Sequence, residues 1–326
     1  MAIKIICGHS IFNENALCMS NKFNWKLETD FAPKPNDLYI VFGAHEISHQ
    51  LLQMQYRYNS CFGYVILNSE QVDSQFFKNK YYLKLMKSNV VCDYNSLTPE
   101  VLKEKHDIKV FSYFFFEFMK FKVESEREYD VVFVGSVNDK RLALYQKLKE
   151  TYPDLNIYFD LNWEHKSAEK LTDLLHKAKV VLNIPYYTNN NSLETHRINK
   201  AIACGCQVIS LKSSEDDANK FYEDYVTFTD DILAEVGKTL SPKKGYEDLV
   251  KALSQKINPH FLFVISQVHK KLLSLSNTNE PTTEAVSESS SSDSDVPSDK
   301  ETSVSVGNEV PKGLSECQVE PKKPVS

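Results

Sequence analysis

The sequence predicts an α/β chain of two tandem doubly wound, Rossmann-like domains facing a cleft. Three observations predict it. Short apolar runs recur along the chain and are continuous instead of alternating, as strands buried on both faces of a parallel sheet are. Segments with helical periodicity separate them. The rhythm stops at the charged stretch VESEREY (123–129) and then starts again. At 326 residues and 42% hydrophobic content, the chain can fill two cores of ordinary size.

In the first domain, expected over 1–122, IKIIC (3–7) runs into Gly8-His9-Ser10 and LYIVFG (38–43) into a helix from about His45 to Asn59. That helix carries its apolar face on Leu51, Leu52, Met54, Gln55 and Tyr58. GYVILN leads into SQFFKNKYYLKLMKS and VVCDYN into TPEVLKEKH; VFSYFFFEFMKF (110–121) reads as a core strand and linker. In the second domain, 123–244, DVVFVG precedes a helix with Leu142, Tyr145 and Leu148 on one face. NIYFD, KVVLNIP, QVISL and YVTFT then each lead into a helix, giving five strands. Helices over 245–275, interrupted near Pro259, have the apolar content (Leu249, Leu253, Phe261, Phe263, Val264, Val268, Leu272) to pack back on the domains. The Ser- and acid-rich tail, 276–326, lacks large apolar residues and is expected to be disordered.

Charge excludes one class of partner. Of 44 acids and 38 bases, ten acids and four bases lie beyond residue 275, which leaves 34 of each in the folded part. A neutral body with no basic block is a poor nucleic-acid binder. The seven cysteines are scattered without zinc-ligand spacing and read as free thiols of a cytoplasmic protein. No signal-peptide pattern and no transmembrane segment is expected, since no apolar run approaches 18 residues.

The most informative stretch is Lys179 to Leu211, read as strand, polar loop, helix, glycine stop and strand. Asn191 and Glu194 have capping-box spacing, so Glu194 either caps its helix or accepts hydrogen bonds from ligand hydroxyls. Arg197, one turn on, sits where the helix dipole disfavours a cation, which points to an anionic partner such as a diphosphate. A second turn, Gly135-Ser136-Val137-Asn138-Asp139-Lys140-Arg141, lets backbone approach an anion at a helix start. It is neither the three-glycine dinucleotide fingerprint nor a Walker loop. His9, His45-Glu46 and Glu70-Gln71 follow the first three strands at their carboxyl ends and can face the cleft. Asp293-Ser-Asp295 in the tail is the only Asp-x-Asp, so no metal site is expected.

The combination YDVVFVGSVNDKR, VVLNIPYY and SLETHRINKAIACGCQVIS resembles glycosyltransferases of GT-B architecture, in particular family 1-type and glycosyltransferase-like proteins related to the spore-maturation protein CgeB. GYVILNSEQ and NVVCDYN are similar to that family's N-terminal segments, and the match spans roughly residues 60 to 215. The resemblance implies a nucleoside diphosphate sugar in the second domain, near Gly135, Ser136, Asn138, Arg141, Asn183, Tyr186, Glu194 and Arg197. It implies an acceptor in the first; if the transfer inverts, His9 or Glu70 from that domain is the expected catalytic base. This chain has Pro185 where many relatives have His, and Ile202 where many retaining enzymes have a second Glu, so stereochemistry stays open.

The expected function is therefore sugar transfer to the hydroxyl of a glycan, a protein-linked glycan or a small molecule, in glycan biosynthesis, with no cofactor and no metal. Two alternatives stand beside it. One is a sugar-nucleotide epimerase on the same architecture, and the other a non-catalytic binding protein that keeps the fold.

Overall fold

The computed structural model describes residues 2–277 apart from 30–32, 59–60, 72, 96, 112–125, 163, 166, 188–190, 239–240 and 257. Most of the linker and all but the first two residues of the tail lie outside this set.

The first sheet is built from β1 (Ile3–Cys7), β2 (Lys26–Leu27), β3 (Leu38–Phe42), β4 (Gly63–Asn68), β5 (Val90–Asp93) and β6 (Val110–Phe111). They run in the order β2-β1-β3-β4-β5-β6, every pair parallel. Between them lie α1 (Asn13–Phe23), α2 (Ser48–Arg57), α3 (Lys80–Ser88) and α4 (Leu97–His106). Strand side chains alternate between two cores. Ile5, Ile40, Phe42 and Leu67 pack with Ala16 and Met19 of α1, whereas Ile6, Tyr39, Val41 and Ile66 pack with Leu51, Leu52, Tyr82 and Leu85 of α2 and α3. All five residues of β3 are buried, which is why its sequence shows no alternation. The two-residue edge strand β2 is too short to leave a pattern, and sequence reading missed it.

The second sheet holds β7 (Tyr129–Val134), β8 (Ile157–Asp160), β9 (Ala178–Asn183), β10 (Gln207–Leu211) and β11 (Thr227–Thr229). It is again all parallel, in the order β11-β10-β9-β7-β8. Its helices are α5 (Asp139–Thr151), α6 (Ala168–His176), α7 (Thr195–Ala203), α8 (Asp216–Tyr222) and α9 (Ile232–Val236). Asn138, Ser167 and Asp231 cap α5, α6 and α9 by accepting first-turn amides. The α5 face differs from the expected one. Leu142 is exposed, and Arg141 and Leu148 are the buried pair, because the helix is rotated to place the arginine inward.

The chain ends on α10 (Tyr246–Lys256) and α11 (Asn258–Asn277). Leu249 and Leu253 of α10 join the second sheet's core, while Phe261, Val264 and Ile265 of α11 join the first sheet's. Phe263, expected among the packing residues, points to solvent. Arg127 fixes the start of β7 by donating to the carbonyls of Leu175, His176, Ala178 and Cys204.

In each sheet the first strand has its sequence neighbours on opposite sides: β1 between β2 and β3, β7 between β8 and β9. Loops leaving the carboxyl ends there diverge and open a crevice, the place where such sheets bind ligands.

Candidate active site

At the second sheet's crevice, six of the residues singled out from sequence form one hydrogen-bonded knot or lie beside it. Asn138 accepts from the Arg141 amide at 2.9 Å and donates its side-chain amide to the Tyr186 carbonyl at 3.1 Å. The Arg141 guanidinium is 2% exposed and donates to the carbonyls of Ser136 (2.8 Å) and Ile184 (2.5 Å). It lies over the rings of Phe133 and Tyr186, at 4.8 and 5.2 Å from their centroids. Burial, then the nearby Arg197 charge, pushes its pKa down to about 10. A Cβ at Gly135 would stand 2.8 Å from the Phe133 ring and 3.0 Å from Arg141, so glycine is what lets the turn close on the guanidinium. Arg141 is thus committed to holding the loops after β7 and β9 together. Tyr186 is 40% exposed at the rim.

Glu194 and Arg197 flank the first turn of α7. The capping box expected at Asn191 does not form: α7 begins at Thr195, Glu194 itself is the N-cap, and its side chain makes no cap bond. Asn191 instead donates to the Lys212 carbonyl. The Glu194 carboxylate pairs with Arg197 at 2.5 Å and stands 3.6 Å from Arg141. Arg197 also donates to Asn183 Oδ1 at 2.8 Å. The cation at an unfavourable helix position therefore has an anion from its own turn.

The first sheet contributes His9, His45 and Glu70 from the ends of β1, β3 and β4. His9 Nδ1 accepts from the Ile11 amide at 3.1 Å, which leaves the ring proton of neutral His9 on Nε2. Gly43, at φ +64°, makes the approach of the β3 loop to His9 possible; a Cβ there would lie 2.8 Å from the histidine's own. The rings of His9 and His45 are 6.2 Å apart, and His45 Nε2 stands 3.5 Å from Glu70. Burial, and to a lesser degree His9, pushes His45 down to about 4. Glu70 accepts from the Ser74 hydroxyl at 2.8 Å, yet burial, with Glu46 and Glu194 adding to it, raises its carboxyl to about 7.

One cleft joins the two sets, with a cavity volume of about 200 Å³. Ser69, Glu70, Gln71, Phe12 and Tyr94 line it from the first sheet; Glu194, His196, Arg197 and Lys200 line it from the second. His9, Asn183 and the turn at 135–141 are not among the lining residues. Two lining residues that sequence reasoning did not single out are His196 and Lys200. His196 wedges between Phe12 (5.6 Å) and Tyr94 (5.0 Å), and burial holds it neutral with its pKa well below the usual histidine value. Lys200 pairs with Glu14 of α1, which also accepts from Thr172 of α6 at 3.2 Å. A histidine and a lysine inside an otherwise apolar helix face were the signal available, but their partners lie more than a hundred residues away.

No protein-family model matches the chain. No curated protein matches it. Among solved structures it is similar to TarM, with a TM-score of 0.41 and 13% identity over 79% of this chain and 53% of that one, so the chain spans about half of TarM's length. It is similar to AviGT4, a glycosyltransferase involved in avilamycin A biosynthesis, with a TM-score of 0.48 and 9% identity over 84% of this chain and 98% of that one. It is also similar to a T4 phage BGT mutant in complex with UDP-glucose, with a TM-score of 0.42 and 13% identity over 85% and 98% of the two chains. The two parallel sheets, with the last helix returning to the first, have the two-sheet α/β architecture that the sequence predicts.

Proposed function

We propose that this chain is a glycosyltransferase that moves a sugar from a nucleoside diphosphate donor to an acceptor hydroxyl. One observation carries the reading: a single cleft between two parallel sheets brings a carboxyl poised near neutrality, Glu70, to the same space as the Glu194–Arg197 pair. In this reading the donor lies against the second sheet. Its diphosphate takes Arg197 from Glu194, and the freed carboxylate accepts bonds from sugar or ribose hydroxyls. Arg141 positions the loops instead of touching the donor, since it is buried and each terminal nitrogen already holds a carbonyl. Charge building on the leaving diphosphate is met by Arg197 and by the first-turn amides of α7, and the transfer needs no metal.

The acceptor lies against the first sheet, and Glu70 takes its hydroxyl proton in an inverting transfer. A carboxyl raised to about 7 is a stronger base than an ordinary one once ionised. His9 is the weaker candidate, because its accepting nitrogen, Nδ1, is already engaged by the Ile11 amide. Residues around His196 exclude water from the reacting centre, which would otherwise compete as acceptor.

Calorimetry with UDP, GDP, TDP and their glucose conjugates tests the donor site. At least one is expected to bind, and Arg197→Ala to weaken it by roughly a hundredfold, the loss of a charge-assisted pair. No binding by any of them, or equal binding by the variant, would overturn the assignment.

A further inference from the structure

The exposed face of α2 and α3 departs from the near-neutral balance of the rest of the body. Neither helix contains an acidic residue, whereas Arg57, Lys80, Lys84 and Lys87 all lie on them and Lys78 just precedes α3. Between residues 47 and 92 the only carboxylates are Asp73 and Glu70, and Glu70 lines the cleft. Lys80, Lys84 and Lys87 follow the i, i+4, i+7 stripe and are exposed, while Tyr82, Leu85 and Met86 fill the core on the other side. Two large aromatic side chains stand among the cations: Tyr56 is 60% and Tyr81 40% exposed. Lys84 Nζ lies 5.1 Å from the Tyr56 ring centre and Lys80 Nζ 5.2 Å from that of Tyr81, whose ring also meets His49 at 4.7 Å.

We propose that this face is a docking surface for an anionic phospholipid bilayer. Charge complementarity selects an anionic partner, and the residue types select a lipid one. Lysine stems lie along an apolar surface while their ammonium heads reach phosphate groups. Tyrosine belongs at the headgroup level, with its ring in the apolar boundary and its hydroxyl in water. A juxtaposed run of lysines is attracted to anionic lipid additively and over a Debye length only. A single-stranded nucleic acid fits less well. It stacks bases on free aromatic faces, and here ammonium groups lie over both rings, with an imidazole also against Tyr81. Base-edge recognition in a duplex favours arginine, and this face has one.

The test is co-sedimentation of the full chain with large unilamellar vesicles, either pure phosphatidylcholine or phosphatidylcholine with about 30% phosphatidylserine. Binding is expected to the anionic vesicles only, and to be lost on raising salt from about 0.1 to 0.5 M. The variant Lys80→Glu/Lys84→Glu/Lys87→Glu should bind at least roughly tenfold more weakly. These side chains are exposed, so its melting temperature should match the parent's. Lys147→Glu/Lys149→Glu, on the exposed side of α5, should bind like the parent. Equal sedimentation with both vesicle types, no sedimentation with either, or full binding by the triple variant would each overturn the proposal. So would tighter, lysine-dependent binding to a single-stranded oligonucleotide than to the vesicles.

Discussion

Arg141 and Arg197 show how position separates two like residues. Arg141 is buried with its terminal nitrogens on carbonyls, so Arg141→Ala strands two acceptors and leaves a hole between Phe133 and Tyr186. We expect it to cost roughly 3 kcal/mol in urea unfolding, against less than about 1 kcal/mol for Arg197→Ala, whose effect falls on ligand binding. Glu70 gives a pH signature. Its folded pKa of about 7 lies above the ordinary 4.5, so the folded state keeps a proton that the unfolded chain releases. Stability from this group is full below pH 4.5 and is lost as pH rises through 7, by an amount on the order of 3 kcal/mol. Glu70→Gln should flatten that limb of the stability profile. His45, held down near 4, acts in the opposite sense: its contribution is present above pH 6.5 and is lost as pH falls toward 4.

At the scale of elements, α1 and α7 are joined by a buried ion pair between Glu14 and Lys200. Removing one partner leaves the other charge unpaired where little water reaches it. Glu14→Met or Lys200→Met alone should therefore cost about 3 kcal/mol, and the double substitution much less than their sum. A double-mutant cycle by chemical unfolding checks this. The turn after β3 is equally specific. Gly43→Ala would place a side chain at φ +64° against His9 and should destabilise by more than about 1 kcal/mol, shifting the Glu70 limb of the pH profile as the His45 loop moves.

Across the molecule, the last two helices divide their apolar residues between the sheets. Phe261 lies fully buried in the first sheet's core although it follows the second sheet in sequence. Phe261→Ala should cost about 3–5 kcal/mol, the range for a large core truncation, in urea unfolding monitored from the first sheet.

The sequence by itself determined the α/β class, ten of the eleven strands among the described residues and the turns that carry the candidate site. Strands buried on both faces must be continuous apolar runs, and helix caps and loop glycines have fixed local chemistry. Even the wrong capping box at Asn191 was a local inference, and it failed because Glu194 found stronger partners in Arg197 and Arg141 than an amide of its own helix. Tertiary structure alone decided that Arg141 is buried on two carbonyls while Arg197 lines the cleft, that His196 fills the gap between Phe12 and Tyr94, and that burial raises the Glu70 carboxyl. Those outcomes depend on desolvation and on charges brought together from distant parts of the chain, and spacing along a sequence records neither.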